Sequence, residues 1–338
     1  LMDAENDVRE IELLSLPGRM GETARSLCYD LKFALRKRQL YMLFQAQYDK
    51  KNEYMGAEAL LRWEHESCGF IYPPLIVKLA MESDMLYELE EFVFNETCYA
   101  IRIIRDHGGI PCKISANITG VSALNPDFSG MVERAVKKHG IDPTDLWIEM
   151  TEQAVMNSNP ASMARLKDVR DRGHKFLIDD FGMGHTSIDY LKTGMFDGVK
   201  LDGKITRDVL DDENERHIIS SVTSMCSEMG MIVIAEYVED ARQRDLLKIL
   251  GGDAFPQVIA QGNLQVAGGI QLRLQPGFHL LFPAPGETPG LKHFADGFAR
   301  VRRVQNLLEQ LGAARFQNFP QCAKARACCL IPWCKAPE

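Results

Sequence analysis

Short apolar segments alternate with longer amphipathic segments along the first 254 residues. The short segments are rich in β-branched and aromatic residues, which is typical of strands. They are Tyr41–Tyr48, Ala57–Trp63, Pro111–Ile118, Asp145–Met150, Lys175–Asp179, Gly198–Leu201 and Met231–Ala235. The longer segments repeat apolar residues at helical spacing, as in Leu86–Asp106, Met131–His139, Ser162–Arg172 and Glu213–Met229. Repeated strand–helix units predict an α/β fold with a parallel sheet and outer helices.

The number of strands bears on whether this sheet is open or closed. Gly140, Gly173 and Gly230 each follow a helical segment, as a C-terminal cap would. Seven strands within about 200 residues favour a TIM-like (β/α)8 barrel. An open, doubly wound sheet is the alternative that the pattern leaves.

The composition excludes several classes of protein. Of the 338 residues, 46% are hydrophobic and 25% are charged, which indicates a sizeable core rather than disorder. The net charge of −8 argues against a basic surface for DNA or RNA polymers. We find no apolar run of the ~18 residues that a membrane span needs, and no secretion signal. The nine cysteines form no Cys-x-x-Cys pair, so we expect reduced thiols and a cytoplasmic location.

The composition also divides the chain. Residues 255–338 carry a net charge of +5 and eight of the 15 prolines, whereas the preceding residues carry −13. We predict a linker and lead-in helix over residues 1–36, a barrel over 37–254 and an atypical segment over 255–338. The first residue, Leu1, suggests a fragment of a longer protein.

Oxygen-bearing side chains lie within or just after five of the predicted strands. They are Glu58, Asn117, Glu149, Asp179, Asp180 and Glu236, and a further strand holds Lys200. A single carboxylate at a strand end is often a helix N-cap. In a barrel, however, the carboxyl ends of the strands share one face, and converging carboxylates repel one another unless a cation lies among them. Oxygen ligands without His or Cys favour Mg²⁺ or Mn²⁺.

Adjacent Asp179 and Asp180 suit a site with two metal ions, because one can bridge while the other holds the second ion. Two ions about 4 Å apart typically clamp a phosphoryl centre and activate water. We expect Lys200 to orient that water or to neutralise charge on the phosphate. A salt bridge from Lys200 to Asp179 or Asp180 is the structural alternative, and it is compatible with this role.

Ordered motifs add a family resemblance. Glu58-Ala59-Leu60 is followed by Leu61-Arg62-Trp63. Further along come Ser115-Ala-Asn117, Ile148-Glu-Met-Thr-Glu152, Asp179-Asp-Phe-Gly-Met-Gly184, Val199-Lys-Leu-Asp202 and Ala235-Glu-Tyr-Val-Glu239. In this order and at this spacing, they resemble the EAL-domain family of cyclic di-GMP phosphodiesterases over roughly residues 37–254.

The resemblance implies a modified TIM barrel whose first strand runs antiparallel, and hydrolysis of cyclic di-GMP to linear pGpG in bacterial signalling. It implies two Mg²⁺ or Mn²⁺ ions, held by Glu58, Asn117, Glu149, Asp179 and Asp180. Lys200 would position the attacking water, and Glu236 would support the metal and water. Arg62 and Gln45 would contact the substrate. Glu152 would brace the loop Phe181–Ser187, which in this family couples dimer contacts to metal binding, so a homodimer is expected.

The sequence departs from the family pattern at three places. Ala46 stands where the family usually has Pro, and Tyr237 stands where it usually has Gly. After Asp253 the family's Gln-Gly-Tyr segment is missing, and the resemblance stops where the composition changes. We therefore expect residues after about Phe255 to be a shifted-frame or foreign end, with no eighth strand unless Gln257–Ala260 supplies one.

The sequence leaves four hypotheses about the function. The first is an active cyclic di-GMP phosphodiesterase, which the full set of carboxylates and Lys200 favours. The second is a receptor that binds cyclic di-GMP without hydrolysing it, which the altered eighth strand favours. The third is a truncated product that cannot fold stably. The fourth is another metal-dependent barrel enzyme, since a fold alone does not define a reaction.

Overall fold

The computed structural model describes residues 20–37, 39–108, 112–182, 189–256, 270–275 and 278–282. Within this part of the chain, eleven strands form one sheet. They are β1 Leu40–Asp49, β2 Tyr54–His65, β3 Gly69–Ile71, β4 Ile114–Ile118, β5 Leu146–Thr151, β6 Lys175–Phe181, β7 Gly198–Leu201, β8 Ile232–Ala235, β9 Ala254–Pro256, β10 Ile270–Gln275 and β11 Phe278–Phe282.

Eight of these strands close into a barrel. The order around it is β1, β2, β4, β5, β6, β7, β8 and β9, and β9 returns to β1. All neighbours pair in parallel except at β1, which is antiparallel to both β2 and β9. The predicted barrel with an antiparallel first strand is therefore confirmed, and the open sheet is wrong.

The alternation of residues along β1 explains how one strand serves both the core and the barrel interior. Leu40, Met42 and Phe44 are buried, whereas the alternate residues Leu43 and Gln45 are only half-buried. Successive side chains of a strand point to opposite faces, so Gln45 lies on the second face. Gln45 is directly opposite Glu58 in the antiparallel register. Directly paired residues lie on one side of a sheet, so both side chains face the same way.

Helices join most of the parallel strands. They are α1 Met20–Lys37, α2 Pro73–Glu82, α3 Leu86–Ile103, α4 Phe128–His139, α5 Glu152–Met156, α6 Pro160–Asp171, α7 Gly203–Thr206, α8 Glu213–Glu228 and α9 Ala241–Ile249. The predicted helix Leu86–Asp106 is α-helical to Ile103 and ends in a π-helical turn, Ile104–Gly108. Gly140 caps α4 with a left-handed φ of 61°, which a residue without Cβ adopts readily.

The seam of the barrel lies along one edge of β1. The eighth barrel strand, β9, has only three residues and pairs with Gln47–Asp49. The rest of this edge, Met42–Gln45, pairs in parallel with β11. The barrel therefore closes through Ala254–Pro256, while Gln257–Ala260, the expected substitute, lies outside the described residues.

Two further observations concern the described part of the chain. None of its helices is both long and apolar enough to cross a membrane. Its five cysteines are all free thiols, namely Cys28, Cys68, Cys98, Cys112 and Cys226.

Candidate metal and phosphodiester site

One lysine lies at the centre of the carboxylates. The Nζ atom of Lys200 is 3.0 Å from Glu58 Oε2, 2.8 Å from Glu149 Oε2, 3.1 Å from Asp179 Oδ1 and 2.7 Å from Glu236 Oε1. The side chain of Lys200 is 1% exposed and that of Glu149 is fully buried. The salt bridge to Asp179, which was the structural alternative, places the Lys200 ammonium inside the cluster. This position is compatible with the predicted role of Lys200 toward water or phosphate.

Strand register brings these residues together from distant parts of the sequence. Glu58 comes from β2, Glu149 from β5 and Lys200 from β7, and Glu236 directly follows β8. Asn117 of β4 lies directly opposite Glu149, so the two share a face. The amide Nδ2 of Asn117 donates a hydrogen bond to Glu58 Oε1 at 3.0 Å. The cluster thus occupies the carboxyl ends of the parallel strands, where barrel active sites are built.

The electrostatics of the cluster are dominated by burial and by surplus negative charge. Burial raises the pKa of Glu149 well above its ordinary value, and Glu58 raises it further. Burial also raises the pKa of Glu236 to about 7, although Lys200 opposes the shift. For Lys200 burial disfavours the charged form, but the surrounding carboxylates outweigh it and raise the pKa of the ammonium. One ammonium facing four carboxylates leaves the site short of positive charge.

Asp180 lies beside two members of this cluster, Asp179 and Glu236. One carboxylate oxygen each from Asp179, Asp180 and Glu236 lie within 4.8 Å of one another. Asp180 has a left-handed backbone with a φ of 54°, which is uncommon for a residue other than glycine. Burial raises the pKa of Asp180 to about 6, and the charges of Asp179 and Asp202 add to the shift.

The residues of this cluster fit divalent cations. Glu149 Oε1 is buried and has no hydrogen-bond partner in the described structure. An unpartnered buried carboxylate oxygen is costly, and a cation would satisfy it. The donors are carboxylate and amide oxygens without His or Cys, which is the ligand set that Mg²⁺ and Mn²⁺ prefer.

Glu152 lies at the start of α5 and is 3% exposed. Its Oε2 accepts a hydrogen bond from the backbone N–H of Gly182 at 3.2 Å, and its Oε1 accepts one from the Tyr190 hydroxyl at 2.8 Å. These two residues flank residues 183–188, which lie outside the described chain. Glu152 therefore ties together the two ends of the segment that it was expected to brace.

Arg62 and Gln45 belong to the paired strands β2 and β1. The guanidinium of Arg62 donates to the Leu61 carbonyl at 2.8 Å and lies 6.0 Å from the centre of the Phe70 ring. Burial lowers the pKa of Arg62 from its ordinary value. Among the described residues Arg62 forms no ion pair with a carboxylate, although the charge of Glu58 favours its charged form.

Two residues of this region were missed by sequence reasoning. The charge of Asp202 contributes to the raised pKa of Asp180. The Oδ1 atom of Asp202 also caps α7 by accepting the Lys204 N–H at 2.7 Å. Tyr237 follows Glu236 and has a φ of 55°. Asp202 ends the Val199-Lys-Leu-Asp202 motif, and Tyr237 stands at a position where glycine is usual, so both carried a signal in the sequence.

Known proteins share these features. A family model described as the EAL domain matches residues 29–262. The bifunctional diguanylate cyclase/cyclic di-GMP phosphodiesterase MucR of Pseudomonas aeruginosa is 31% identical over 226 residues, covering 67% of this chain and 33% of MucR. The cyclic di-GMP phosphodiesterase NbdA of the same organism is 27% identical over 220 residues, covering 65% of this chain and 28% of NbdA. This chain thus spans about a third of the length of these curated relatives.

Solved structures share the barrel as well. A MucR phosphodiesterase in complex with cyclic di-GMP matches with a TM-score of 0.65 and 29% identity, covering 68% of this chain and 94% of that one. The family that these proteins represent includes cyclic di-GMP phosphodiesterases and cyclic di-GMP binders, and its members use divalent metals. With its fold, its cluster of acidic residues and its sequence all in agreement, this chain belongs to the EAL domain family.

Proposed function

We propose that this chain is a metal-dependent phosphodiesterase that hydrolyses cyclic di-GMP to linear pGpG in bacterial second-messenger signalling. The observation that carries the proposal is the complete cluster of carboxylates around Lys200, with four contacts of 2.7–3.1 Å. A protein that had lost the reaction would not need to keep so many acidic groups in one buried place, because each of them is costly without a cation.

The residues divide into two groups of ligands. Glu58, Asn117, Glu149 and Asp179 would hold one Mg²⁺ or Mn²⁺ ion, and Asp179 and Asp180 would hold a second. When bound, such ions neutralise charge on a phosphoryl group and favour attack by water. The three N–H donors of the Lys200 ammonium point to carboxylates here. With cations sharing those carboxylates, one N–H would turn to the attacking water and hold that water in line. Glu236, in contact with Lys200, would accept a hydrogen bond from the same water.

The substrate contacts follow from the position of β1 and β2 at the cluster. The planar guanidinium of Arg62 suits a phosphate of the dinucleotide, since it presents paired donors. Gln45 lies opposite Glu58 in the register and offers both a donor and an acceptor to a nucleotide. Glu152 would act through its hydrogen bonds to Gly182 and Tyr190 rather than on the substrate.

The test is incubation of the purified chain with cyclic di-GMP and Mg²⁺ or Mn²⁺, with products separated by chromatography. We expect pGpG to appear and to be abolished by EDTA. A Glu149→Gln variant is the matched control, because the amide keeps the shape of the side chain and removes its negative charge. Folded protein that binds cyclic di-GMP but yields no pGpG would contradict the proposed hydrolysis.

A second candidate function is a receptor that binds cyclic di-GMP without hydrolysing it. The short eighth strand favours this function, because β9 pairs only with Gln47–Asp49 and leaves Met42–Gln45 to β11. Gln45 belongs to this substituted edge and is one of the expected substrate contacts. Binding of cyclic di-GMP in EDTA, together with no turnover in Mg²⁺, would support the receptor.

We also propose a homodimer in the cytoplasm, in which dimer contacts act through the segment that Glu152 braces. The five free thiols of the described chain support a reducing compartment. Light scattering coupled to size exclusion measures the mass directly. A monomeric mass at working concentrations would contradict the dimer without affecting the proposed hydrolysis.

A further inference from the structure

The residue that follows Glu236 has an unusual backbone. Tyr237 adopts a φ of 55°, in the left-handed region that residues with a Cβ avoid. Such conformations persist where the surrounding structure fixes them, and they concentrate at sites of function. A glycine would remove the steric conflict at no cost in φ, so the tyrosine side chain itself needs an explanation.

Two buried polar side chains fix this segment. Thr206 Oγ1 donates to the Glu236 carbonyl at 2.6 Å. Gln243 Nε2 donates to the Tyr237 carbonyl at 3.1 Å, and Gln243 Oε1 accepts the Glu239 N–H at 2.6 Å. Thr206 is fully buried and Gln243 is 3% exposed, so water does not compete for these hydrogen bonds. The segment is therefore held in place before any ligand binds.

The Tyr237 ring rests against one side of α7. A Cβ on Gly203 would lie only 2.4 Å from the ring, so the ring lies directly on this glycine. The guanidinium carbon of Arg207, one turn further along, is 4.5 Å from the ring centre. Tyr237 nevertheless keeps 38% of its surface exposed. The result is a supported, partly exposed aromatic side chain on the residue that directly follows Glu236, whose carboxylate is 2.7 Å from Lys200.

We propose that the Tyr237 ring is a stacking surface for one purine base of the bound cyclic dinucleotide. A base has a flat π face, and a ring held by its backbone and by Gly203 and Arg207 loses little freedom when a base stacks on it. The inference rests on the proposed function, because it takes a cyclic dinucleotide as the ligand. It adds a binding residue and assigns no chemical step to it.

Two substitutions in the full chain separate stacking from packing. Tyr237→Phe keeps the aromatic face, whereas Tyr237→Leu keeps apolar bulk and the same backbone conflict but has no π face. Tyr29→Leu, on α1, serves as a control for removing an exposed tyrosine, since Tyr29 is 63% exposed. The measurements are Kd for cyclic di-GMP by calorimetry in EDTA, and KM and kcat in Mg²⁺.

We expect Tyr237→Leu to raise Kd and KM about tenfold, with kcat little changed. Tyr29→Leu should match the unmodified protein, and Tyr237→Phe should bind cyclic di-GMP more tightly than Tyr237→Leu. Equal Kd values for Tyr237→Leu and Tyr237→Phe would overturn the inference and leave the proposed function intact. An unmodified protein that neither binds nor hydrolyses cyclic di-GMP would overturn both.

A spectroscopic readout covers the case in which Tyr237→Leu does not fold. In protein labelled with 3-fluorotyrosine, the ¹⁹F signal absent from Tyr237→Phe identifies Tyr237. Stacking predicts that this signal moves upfield when cyclic di-GMP is added, because the base places its ring current over the phenol. A signal that stays in place at saturating nucleotide would overturn the inference.

Discussion

At the scale of single residues, the main feature is the buried ammonium of Lys200, which partly neutralises the carboxylates around it. Lys200 cannot balance Glu58, Glu149, Asp179 and Glu236 by itself, yet without it the buried carboxylates would face one another directly. The lysine therefore has a structural role in the metal-free protein and a proposed chemical role in the loaded one. These two roles are separable by experiment.

Replacement of Glu58 tests the assignment of the ligands. We expect Glu58→Ala to abolish metal-dependent production of pGpG and to leave the far-UV circular dichroism unchanged, because it removes a proposed ligand but no core packing. Glu64→Ala is the matched control, since Glu64 lies on the same strand and is exposed. Turnover that is unchanged in Glu58→Ala would remove this residue from the site.

Replacement of Lys200 tests its structural role. In EDTA, we expect Lys200→Met to lower the free energy of unfolding by about 3–5 kcal/mol, since it leaves buried carboxylates without their partner. Lys167→Met removes an exposed pair with Asp171 and should cost under about 1 kcal/mol. Urea unfolding measures both values, and equal losses in the two variants would contradict the structural role.

The chemical role of Lys200 has a separate readout. We expect Lys200→Ala to lower kcat far more than it weakens binding of cyclic di-GMP, because positioning of water matters in the reaction and not in the binding step. Initial rates in Mg²⁺ and calorimetric Kd values in EDTA provide the comparison. Equal losses of turnover and of binding would argue against water positioning.

Much of the site was predictable from residue type and strand position alone. Acidic residues at the ends of parallel strands must converge in a barrel, so the grouping of Glu58, Glu149 and Asp179 follows from the pattern. The pattern gave no distances, and it could not show that Lys200 contacts four carboxylates together. It also missed Asp202, because a helix-capping role conceals its contact with Asp180.

At the scale of elements, a buried carboxyl joins α3 to the turn after β4. Glu90 of α3 is 7% exposed and accepts a hydrogen bond from the Ser122 hydroxyl. Burial raises the pKa of Glu90 from 4.5 to about 7, although hydrogen bonds from Ser122 and Thr119 oppose the shift. The turn that follows the Asn117 strand thus depends on the protonation of a group on a neighbouring helix.

The sign of this effect gives a prediction about pH. The folded-state pKa of Glu90 exceeds the unfolded one, so its contribution is full below about pH 4.5 and is lost as the pH rises to about 7. We expect Glu90→Gln to gain stability relative to the unmodified protein across this interval, by at most about 1.4 kcal/mol per pH unit. Urea unfolding at several pH values tests this, with exposed Glu88→Gln as the control on the same helix. A difference that is independent of pH would contradict the assignment.

The elements themselves were predictable where their periodicity was strong. All seven predicted strands are present, with shifts at the ends such as Ile114 instead of Pro111. The three-residue strands β3 and β9 were missed, because so few residues carry no periodicity. Strands β10 and β11 were not predicted either. Helix α2 begins with two prolines, which favour the first turn of a helix but also read as a break.

At the scale of the whole molecule, closure of the barrel depends on β1. One edge of this strand pairs with two different strands along its length. That edge of β1 is covered by β9 near its end and by β11 over Met42–Gln45. An uncovered strand edge presents free N–H and C=O groups to other chains. Strand β11, which lies beyond the residues that the family model matches, therefore covers this part of the barrel edge.

Shortening the chain tests this protection. We expect a chain ending at Pro256 to aggregate, because it lacks β11 and leaves Met42–Gln45 unpaired. A chain ending at Leu291 keeps β10 and β11 and should remain dispersed. Size exclusion with light scattering measures the outcome, and equal behaviour of the two shortened chains would contradict a protective role for β11.

The antiparallel first strand also has a consequence for the order of events during synthesis. The hairpin of β1 and β2 is local and is able to form as soon as both strands have left the ribosome. The pairing of Gln47 with Pro256 spans about two hundred residues, so it must wait until nearly the whole barrel has been translated. A growing chain therefore carries the open edge of β1 throughout elongation. The last step of barrel folding thus joins its first strand to its last, and chaperones have their longest opportunity to act on this edge.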